Sequence, residues 1–378
     1  MFADAPQRIA DLTRHLYSAL DRASARFSVD LPLIEAGLKK LDPTLSLCAV
    51  RARVIEVSDE TPDTKTYWLR PNARFGSYLP GSYVTLRVRI DGQTVQRNYS
   101  LSTAPRRDGL IAITVKRVHG GKVSNWLADE LRPGHVVELS AAQGKFVLAP
   151  EPPAKLLLLS AGSGITPVMS LLRQLTAARA RREIVFLHFA RTPRDIIFRT
   201  ELERIVRDHP GVRLELCVEN AGDEDAWSGH LGRFSEALLQ AVAPDFRSLD
   251  TYLCGPGGFM QSVMQTLERS GADLGKLRYE RFSVDFDASL FLEQASVLRF
   301  LRSNTEALSN RPRTILEEAE GAGLRVESGC RAGNCGTCRC RKVRGVVVDI
   351  TSGRESGAGD EFIYPCISVA RGTVEIDL

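Results

Sequence analysis

Between residues 47 and 150 hydrophobic and polar positions alternate in short runs, the period-two signature of half-buried strands. Residues 50–55, 65–70 and 83–88 carry it, with Pro71-Asn72, Pro80-Gly81 and Asp91-Gly92 as turns between runs. Short strands at this spacing predict a closed antiparallel β-barrel. From 151 to 287 the texture becomes strand, loop and helix in alternation. Residues 156–160, 184–188, 213–218 and 251–254 read as buried strands, with a helix over 167–180 after the first. That alternation predicts an α/β domain on a parallel sheet. Residues 288–378 open on a strand at 296–301 and continue with a helix over 314–322, an α+β pattern. In the first 46 residues Ile9, Leu12, Leu16 and Leu20 recur at helical spacing, so a helical N-terminal extension is expected, broken at Pro32 and Pro43.

Composition narrows the class. Of 378 residues, 43% are hydrophobic and 25% charged, which excludes a disordered chain. A net charge of +4 is too small to point to nucleic acid. The longest obvious apolar run, residues 155–161, falls far short of the ~18 residues of a membrane span. Asp4, Arg8, Asp11 and Arg14 interrupt the N-terminus, so a signal-peptide core is lacking. A soluble, cytoplasmic protein is expected. Its extension packs on its own protein or docks to a membrane or partner.

Four of the eight cysteines fall between 330 and 340. Cys330, Cys335 and Cys338 are spaced C-x4-C-x2-C, and Cys366 lies downstream in Tyr364-Pro365-Cys366. This is a plant-type [2Fe–2S] spacing: three thiolates in one tight loop reach two irons, and a distant fourth closes the site. Structural zinc is the competing reading, though it takes ligands in separated pairs. Cys340 falls outside the four-ligand pattern.

Five further motifs carry chemistry. In Arg97-Asn98-Tyr99-Ser100 a strand can aim Arg97 and Tyr99 to one face, charge to phosphate and ring to ring. After Lys116, the turn Gly120-Gly121-Lys122-Val123-Ser124 opens a helix, and free N–H groups there suit a phosphate. Gly162-Ser163-Gly164-Ile165-Thr166-Pro167 follows a strand and opens another helix, with Pro167 in place of a third glycine. Cys254-Gly255-Pro256 follows a later strand, and Glu280-Arg281-Phe282 ends the α/β region. Each has a plainer alternative: a barrel Tyr, a hairpin turn, a buried Cys254, a surface Glu280 with a core Phe282.

On these motifs the chain after residue 46 resembles the ferredoxin-reductase superfamily, fused to a C-terminal plant-type ferredoxin domain. Its extension is most similar to the electron-transfer partners of acyl-CoA desaturases, with phenylacetyl-CoA-oxygenase-type reductases also close. The resemblance implies a helical extension (1–46), an FAD-binding barrel (47–150), an NAD(P)-binding domain (151–287) and a β-grasp ferredoxin domain (288–378). It implies that Arg97 contacts the flavin pyrophosphate, that Tyr99 packs by the isoalloxazine and that Ser100 lies near its reactive nitrogen. Lys116, Gly121, Val123 and Ser124 would join that site. The loop from Gly162 to Pro167 would cradle the nicotinamide pyrophosphate, Cys254, Gly255 and Pro256 would lie beside the nicotinamide, and Glu280 and Phe282 near the flavin.

The expected activity is an NAD(P)H-dependent flavin/iron–sulfur reductase, because a flavin can take a hydride and release electrons singly to a cluster. The acceptor expected is a diiron acyl-lipid desaturase or hydroxylase, with a soluble aromatic-ring or CoA-ester oxygenase as alternative. Residues 290–378 carry 12 basic and 12 acidic side chains, consistent with a tethered ferredoxin domain supplied intramolecularly. A redox sensor is a further alternative. Arg191 and Arg194, in the second ligand-facing loop, favour NADPH over NADH, although Asp195 could still receive a ribose.

Overall fold

A computed structural model describes residues 31–378 apart from 179–181, 223–226, 283–294, 312 and 334. The expected helix over 1–30 and the boundary at 287/288 lie outside the described residues. Helix α1 (Leu31–Leu41) begins with Pro32 in its first turn, where a missing N–H costs nothing.

Six antiparallel strands follow: β1 (Val50–Thr61), β2 (Thr64–Pro71), β3 (Tyr83–Ile90), β4 (Gln93–Ser100), β5 (Ile111–Lys116) and, after helix α2 (Lys122–Glu130), β6 (Val136–Leu139). Their order is β4-β3-β6-β1-β2-β5, and the two ends meet where Leu101 bridges Ile113 and Ser102 N–H donates to Ala112 O. Closure gives the barrel. Val84, Leu86, Leu69, Ile113 and Val54 fill it, each essentially inaccessible. β1 extends six residues past the alternating run at 50–55, because a bulge between Val54 and Glu56 breaks the period. Asp91 and Gly92 both take positive φ (51° and 73°) in the two-residue hairpin turn between β3 and β4.

The second unit is a parallel sheet with helices on both faces. Its elements are β7 (Lys155–Ala161), α3 (Ile165–Ala177), β8 (Glu183–Ala190), α4 (Arg199–Asp208), β9 (Val212–Val218), β10 (His230–Leu231), α5 (Glu236–Val242), β11 (Asp250–Gly255), α6 (Gly257–Arg269) and β12 (Leu277–Arg281). α3 begins two residues before Pro167 and is capped at Ala178, so it is shorter than the span expected from sequence. Strand order is β10-β9-β8-β7-β11-β12. The chain runs outward from β7 one way, then returns to β11 on its other side, and such a switch opens a crevice at the strands' C-terminal ends. Covered on both faces, β7 has no polar alternation: Leu156 to Leu159 are all fully buried.

The third unit holds β13 (Ser296–Phe300), β14 (Thr305–Ser309), α7 (Ile315–Gly321), β15 (Cys340–Asp349), β16 (Glu361–Ile363) and β17 (Ser368–Ile376). The order β14-β13-β17-β15-β16 pairs β13 with β17 in parallel and the other neighbours antiparallel. α7 starts with a reciprocal cap: Thr314 Oγ1 accepts from Glu317 N–H while Thr314 N–H donates to Glu317 Oε2. The cysteine loop lies between α7 and β15. Among the described residues no helix is long and apolar enough to cross a membrane.

Candidate flavin, nicotinamide and cluster sites

A cavity of about 450 Å³ opens where the three units meet. From the barrel it takes Arg97, Tyr99, Ser100, Lys116, Gly121, Val123 and Ser124, from the parallel sheet Ser163, Thr166, Glu280 and Phe282, and from the cysteine loop Gly329 and Cys330. Twelve of the residues singled out from sequence therefore share one cavity.

Its polar groups suit an anionic, ring-bearing ligand. Burial, with Arg331 nearby, holds the Arg97 guanidinium below its usual range. Two guanidiniums brought together in a half-buried place favour a diphosphate between or beside them. Arg331 pairs with Glu320, yet its Nε is buried with no partner among the described residues. The first turn of α2 faces the same cavity, and its N-cap, Gly121, offers no side chain to its N–H groups. A Cβ on Gly121 would meet Ser124 Oγ at 2.6 Å and Val118 O at 3.1 Å, so the turn is tightly packed there. Tyr99 is largely buried, which pushes its phenol well up and keeps the ring neutral. These residues fit a flavin with its pyrophosphate.

Ser100 Oγ donates to Glu280 Oε2 at 2.8 Å across 180 residues of sequence. Burial pushes the Glu280 carboxyl up to about 7, against the pull of the Ser100 hydroxyl, with Cys330 adding to the rise. Phe282, 36% exposed, follows β12 and lines the cavity.

The two nicotinamide motifs lie at the switch point. Gly162–Gly164 forms a short 3-10 turn leading into α3, and Cys254-Gly255-Pro256 connects β11 to α6. Their backbones touch: a Cβ on Gly164 would lie 2.3 Å from Cys254 O and 2.6 Å from Gly255 Cα. Ile165 and Pro167 are buried in the first turn of α3. The Cys254 thiol is fully buried, and burial pushes it well above the ordinary range. It packs as a neutral apolar group, while its backbone forms the crevice wall.

At the cavity's edge, Lys116 Nζ is bound to Asp63 at 2.8 Å, and Arg191 reaches Asp195 at 3.2 Å and Asp63 at 3.5 Å. Asp195 is itself turned inward, accepting from Thr192 N–H and Oγ1 at 3.1 and 2.9 Å. Arg194 belongs to the same 3-10 turn, Pro193–Asp195.

In the cysteine loop, side-chain contacts link Cys330 to Cys335 and Cys366, and Cys338 to Cys366. Hydrogen bonds from Cys335 and Cys366 pull the Cys330 thiol down, and Cys366 likewise lowers Cys338. The backbone N–H groups of Ala332 and Cys335 both donate to Cys330 Sγ, at 3.4 and 3.3 Å. Arg331 takes φ +55° and Gly333 and Gly336 about +75° and +73°, which wraps the loop around the sulfurs. These contacts link the four thiols in a chain, Cys335–Cys330–Cys366–Cys338, so the four expected ligands of a [2Fe–2S] cluster lie together. Cys340 instead packs in the core of the third unit.

Several cavity residues escaped the sequence reading, Tyr83 and Asn98 among them. Tyr83, buried at the start of β3, faces Cys335, Cys330 and Glu280, and burial together with these groups pushes its phenol up to about 12. Asn98 lies between Arg97 and Tyr99 on the opposite side of β4. Only the β3–β4 register, pairing Tyr83 with Ser100, shows that Tyr83 belongs to the site.

Such a fold and site define a modular flavoprotein reductase. Family models match in the same order: an oxidoreductase FAD-binding domain over residues 51–148, an oxidoreductase NAD-binding domain over 158–265 and a 2Fe-2S iron-sulfur cluster binding domain over 300–371. A Mycobacterium tuberculosis protein described as an NADPH oxidoreductase is 33% identical over 98% of this chain and 95% of its own length. The glycine betaine monooxygenase reductase subunit of Chromohalobacter salexigens is 33% identical over 86% of this chain and 94% of its own. Among solved structures, phthalate dioxygenase reductase shares the fold with a TM-score of 0.61 at 24% identity, covering 87% of this chain and 97% of that one. The chain belongs to the ferredoxin-reductase-type family of NAD(P)H flavoprotein oxidoreductases with a C-terminal [2Fe–2S] domain, and its cofactors are FAD, NAD(P)H and the cluster.

Proposed function

We propose that the chain is the reductase component of an oxygenase-type system, carrying electrons from NADPH through FAD and [2Fe–2S] to a partner protein. The observation that carries this reading is the single cavity lined by Ser100, Glu280 and Cys330, one residue from each unit. When bound, the flavin would take the two electrons of an NAD(P)H hydride and release them singly to the cluster, with one proton released for every two electrons delivered. The chain's own residues bind and orient. Arg97 and the α2 N-terminus hold the pyrophosphate, Tyr99 and Phe282 flank the ring, and Ser100 with Glu280 positions the hydride region. The Gly162–Pro167 loop and the backbone of Cys254, Gly255 and Pro256 seat the nicotinamide nucleotide, with Lys116 at its edge. Cys330, Cys335, Cys338 and Cys366 ligate the cluster. The division into 1–46, 47–150, 151–287 and 288–378 and a cytoplasmic location belong to the same reading.

NADPH is preferred to NADH. Asp195 spends its carboxylate on Thr192, whereas the Arg191 side chain is 66% exposed and available to a 2′-phosphate on exchanging its surface ion pairs. Arg191→Ala should cut kcat/KM with NADPH selectively; equal loss with NADH would overturn the assignment.

For the acceptor, a membrane-bound diiron acyl-lipid desaturase or hydroxylase is favoured by the extension and by the zero net charge of residues 290–378. Coverage of 98% in the M. tuberculosis relative means that most of the extension is shared with it. A soluble oxygenase is the second reading, supported by the name of the glycine betaine relative. Reconstitution with purified acceptors of each class decides between them. Turnover with the desaturase or hydroxylase is expected, and turnover only with a soluble oxygenase would overturn the choice.

A further inference from the structure

Strand β4 has two faces, with Arg97 and Tyr99 on one and Asn98 and Ser100 on the other. The register pairs Tyr83 with Ser100 and Thr85 with Asn98. Alternation puts these four side chains on the face opposite Arg97 and Tyr99. On that face Ser100 meets Glu280 of the nicotinamide unit. Asn98 meets the cysteine loop. A Cβ built on Gly329 would lie 3.0 Å from Asn98 Oδ1, 3.1 Å from Cys335 Sγ and 3.2 Å from Thr337 Oγ1. The amide and the thiol thus converge on one point of the Gly329 backbone, with no room for a side chain between them.

The amide is held on one side only. Thr85 Oγ1 donates to Asn98 Oδ1 at 3.0 Å, while Asn98 Nδ2 is buried with no hydrogen-bond partner among the described residues. A buried N–H donor without an acceptor is costly and calls for an explanation. Oδ1 is the amide atom that faces Gly329, and Nδ2 has no acceptor among the described residues; the bound cluster would supply one, since its sulfurs carry negative charge and a side-chain N–H is one of the groups that tune such clusters.

We propose that Asn98 is a positioning residue for electron transfer from flavin to cluster: it seats the cysteine loop on the flavin strand and donates its Nδ2–H to a sulfur of the bound cluster. The proposal rests on the flavin and cluster assignments above. Its neighbours Arg97 and Tyr99 contact the flavin, so a single three-residue segment spans the donor and the acceptor of the electron. In the step itself one electron leaves the reduced flavin and one oxidised cluster becomes reduced, with NADPH the source. The amide N–H favours the reduced cluster because that state carries one more negative charge. Gly329 keeps the contact short.

The test uses the full-length holoprotein and three variants: Asn98→Leu, which keeps bulk and removes the donor, Asn98→Asp, which is isosteric and replaces the donor by a charge, and Gly329→Ala, which wedges the loop away. Anaerobic stopped-flow separates flavin bleaching by NADPH from cluster reduction, and an EPR-monitored titration gives the cluster potential. Cluster reduction should slow by on the order of tenfold more than flavin bleaching in Asn98→Leu and Gly329→Ala, the loss expected for a charge-assisted hydrogen bond. The potential should fall in Asn98→Leu and further in Asn98→Asp. An unchanged potential in both Asn98 variants, or equal slowing of both steps, would overturn the proposal. Wild-type protein lacking flavin or cluster absorbance would instead refute the cofactor assignments on which it rests.

Discussion

Gly164→Ala isolates the contact that shapes the nicotinamide crevice. Gly164 has ordinary helical dihedrals (φ −63°, ψ −11°), so alanine meets no backbone strain there. What it meets is Cys254: the new Cβ would lie 2.3 Å from the carbonyl oxygen and 2.4 Å from the carbonyl carbon. Relief requires roughly 1 Å of separation, and neither neighbour is a side chain that could rotate away. β7 and β11 are hydrogen-bonded neighbours, with Cys254 in register with Ser160, so parting their ends strains the sheet. Overpacking of this kind costs about 1–3 kcal/mol of stability. A misplacement of about 1 Å at a reacting centre costs on the order of 100-fold in rate. Stopped-flow reduction of the flavin by NADPH should therefore slow by about that factor, with cluster absorbance retained. Gly162→Ala is the comparison, since its Cβ would meet nothing within 4 Å and the only cost is its positive φ of 51°. Wild-type rates in Gly164→Ala would refute the packing argument.

Three other outcomes follow from single side chains. Cys335→Ser should lose cluster absorbance while the flavin is still reduced by NADPH, and Cys340→Ser should keep both; cluster loss on replacing Cys340 but not Cys366 would refute the ligand set. Lys342, wholly buried, donates to the carbonyls of Gly345, Gly357 and Gly359 at 2.6–2.8 Å. Lys342→Met should strand these acceptors and destabilise the ferredoxin unit by about 3–5 kcal/mol, read as a lower urea midpoint for cluster loss. His188 is buried beside Ser160 (2.7 Å), and burial pushes its imidazole down to about 3. Its folded value lies below the unfolded one, so the stability it contributes is full above about pH 6.5 and is lost as pH falls towards 3. From pH 7 to 5 wild type should lose about 2 kcal/mol relative to His188→Gln in urea denaturation, and parallel curves would contradict this.

The cluster ligands were the most legible feature of the sequence because their chemistry forces them into one short loop. The strands of the parallel sheet were legible for a similar reason, since burial on both faces leaves residues such as Leu156–Leu159 no polar member. Strand lengths were less so: the bulge after Val54 hides the second half of β1. Lys342 reads as a surface residue, and three converging carbonyls together with the Glu361 carboxylate at 3.1 Å make its burial tolerable. Tyr83, Asn98 and the Ser100–Glu280 bond depend on register and on packing between units far apart in sequence. Cys254 kept its expected place, but its thiol points into the core and leaves its backbone to face Gly164.

Anaerobic titration of the full-length protein with NADPH, followed by visible absorbance and EPR together, tests the relay most directly. The flavin should be reduced by the nucleotide and one cluster spin per chain should develop from it; in Cys335→Ser the flavin should still bleach without any cluster signal. A wild-type flavin that is fully reduced while the cluster stays oxidised would contradict the account.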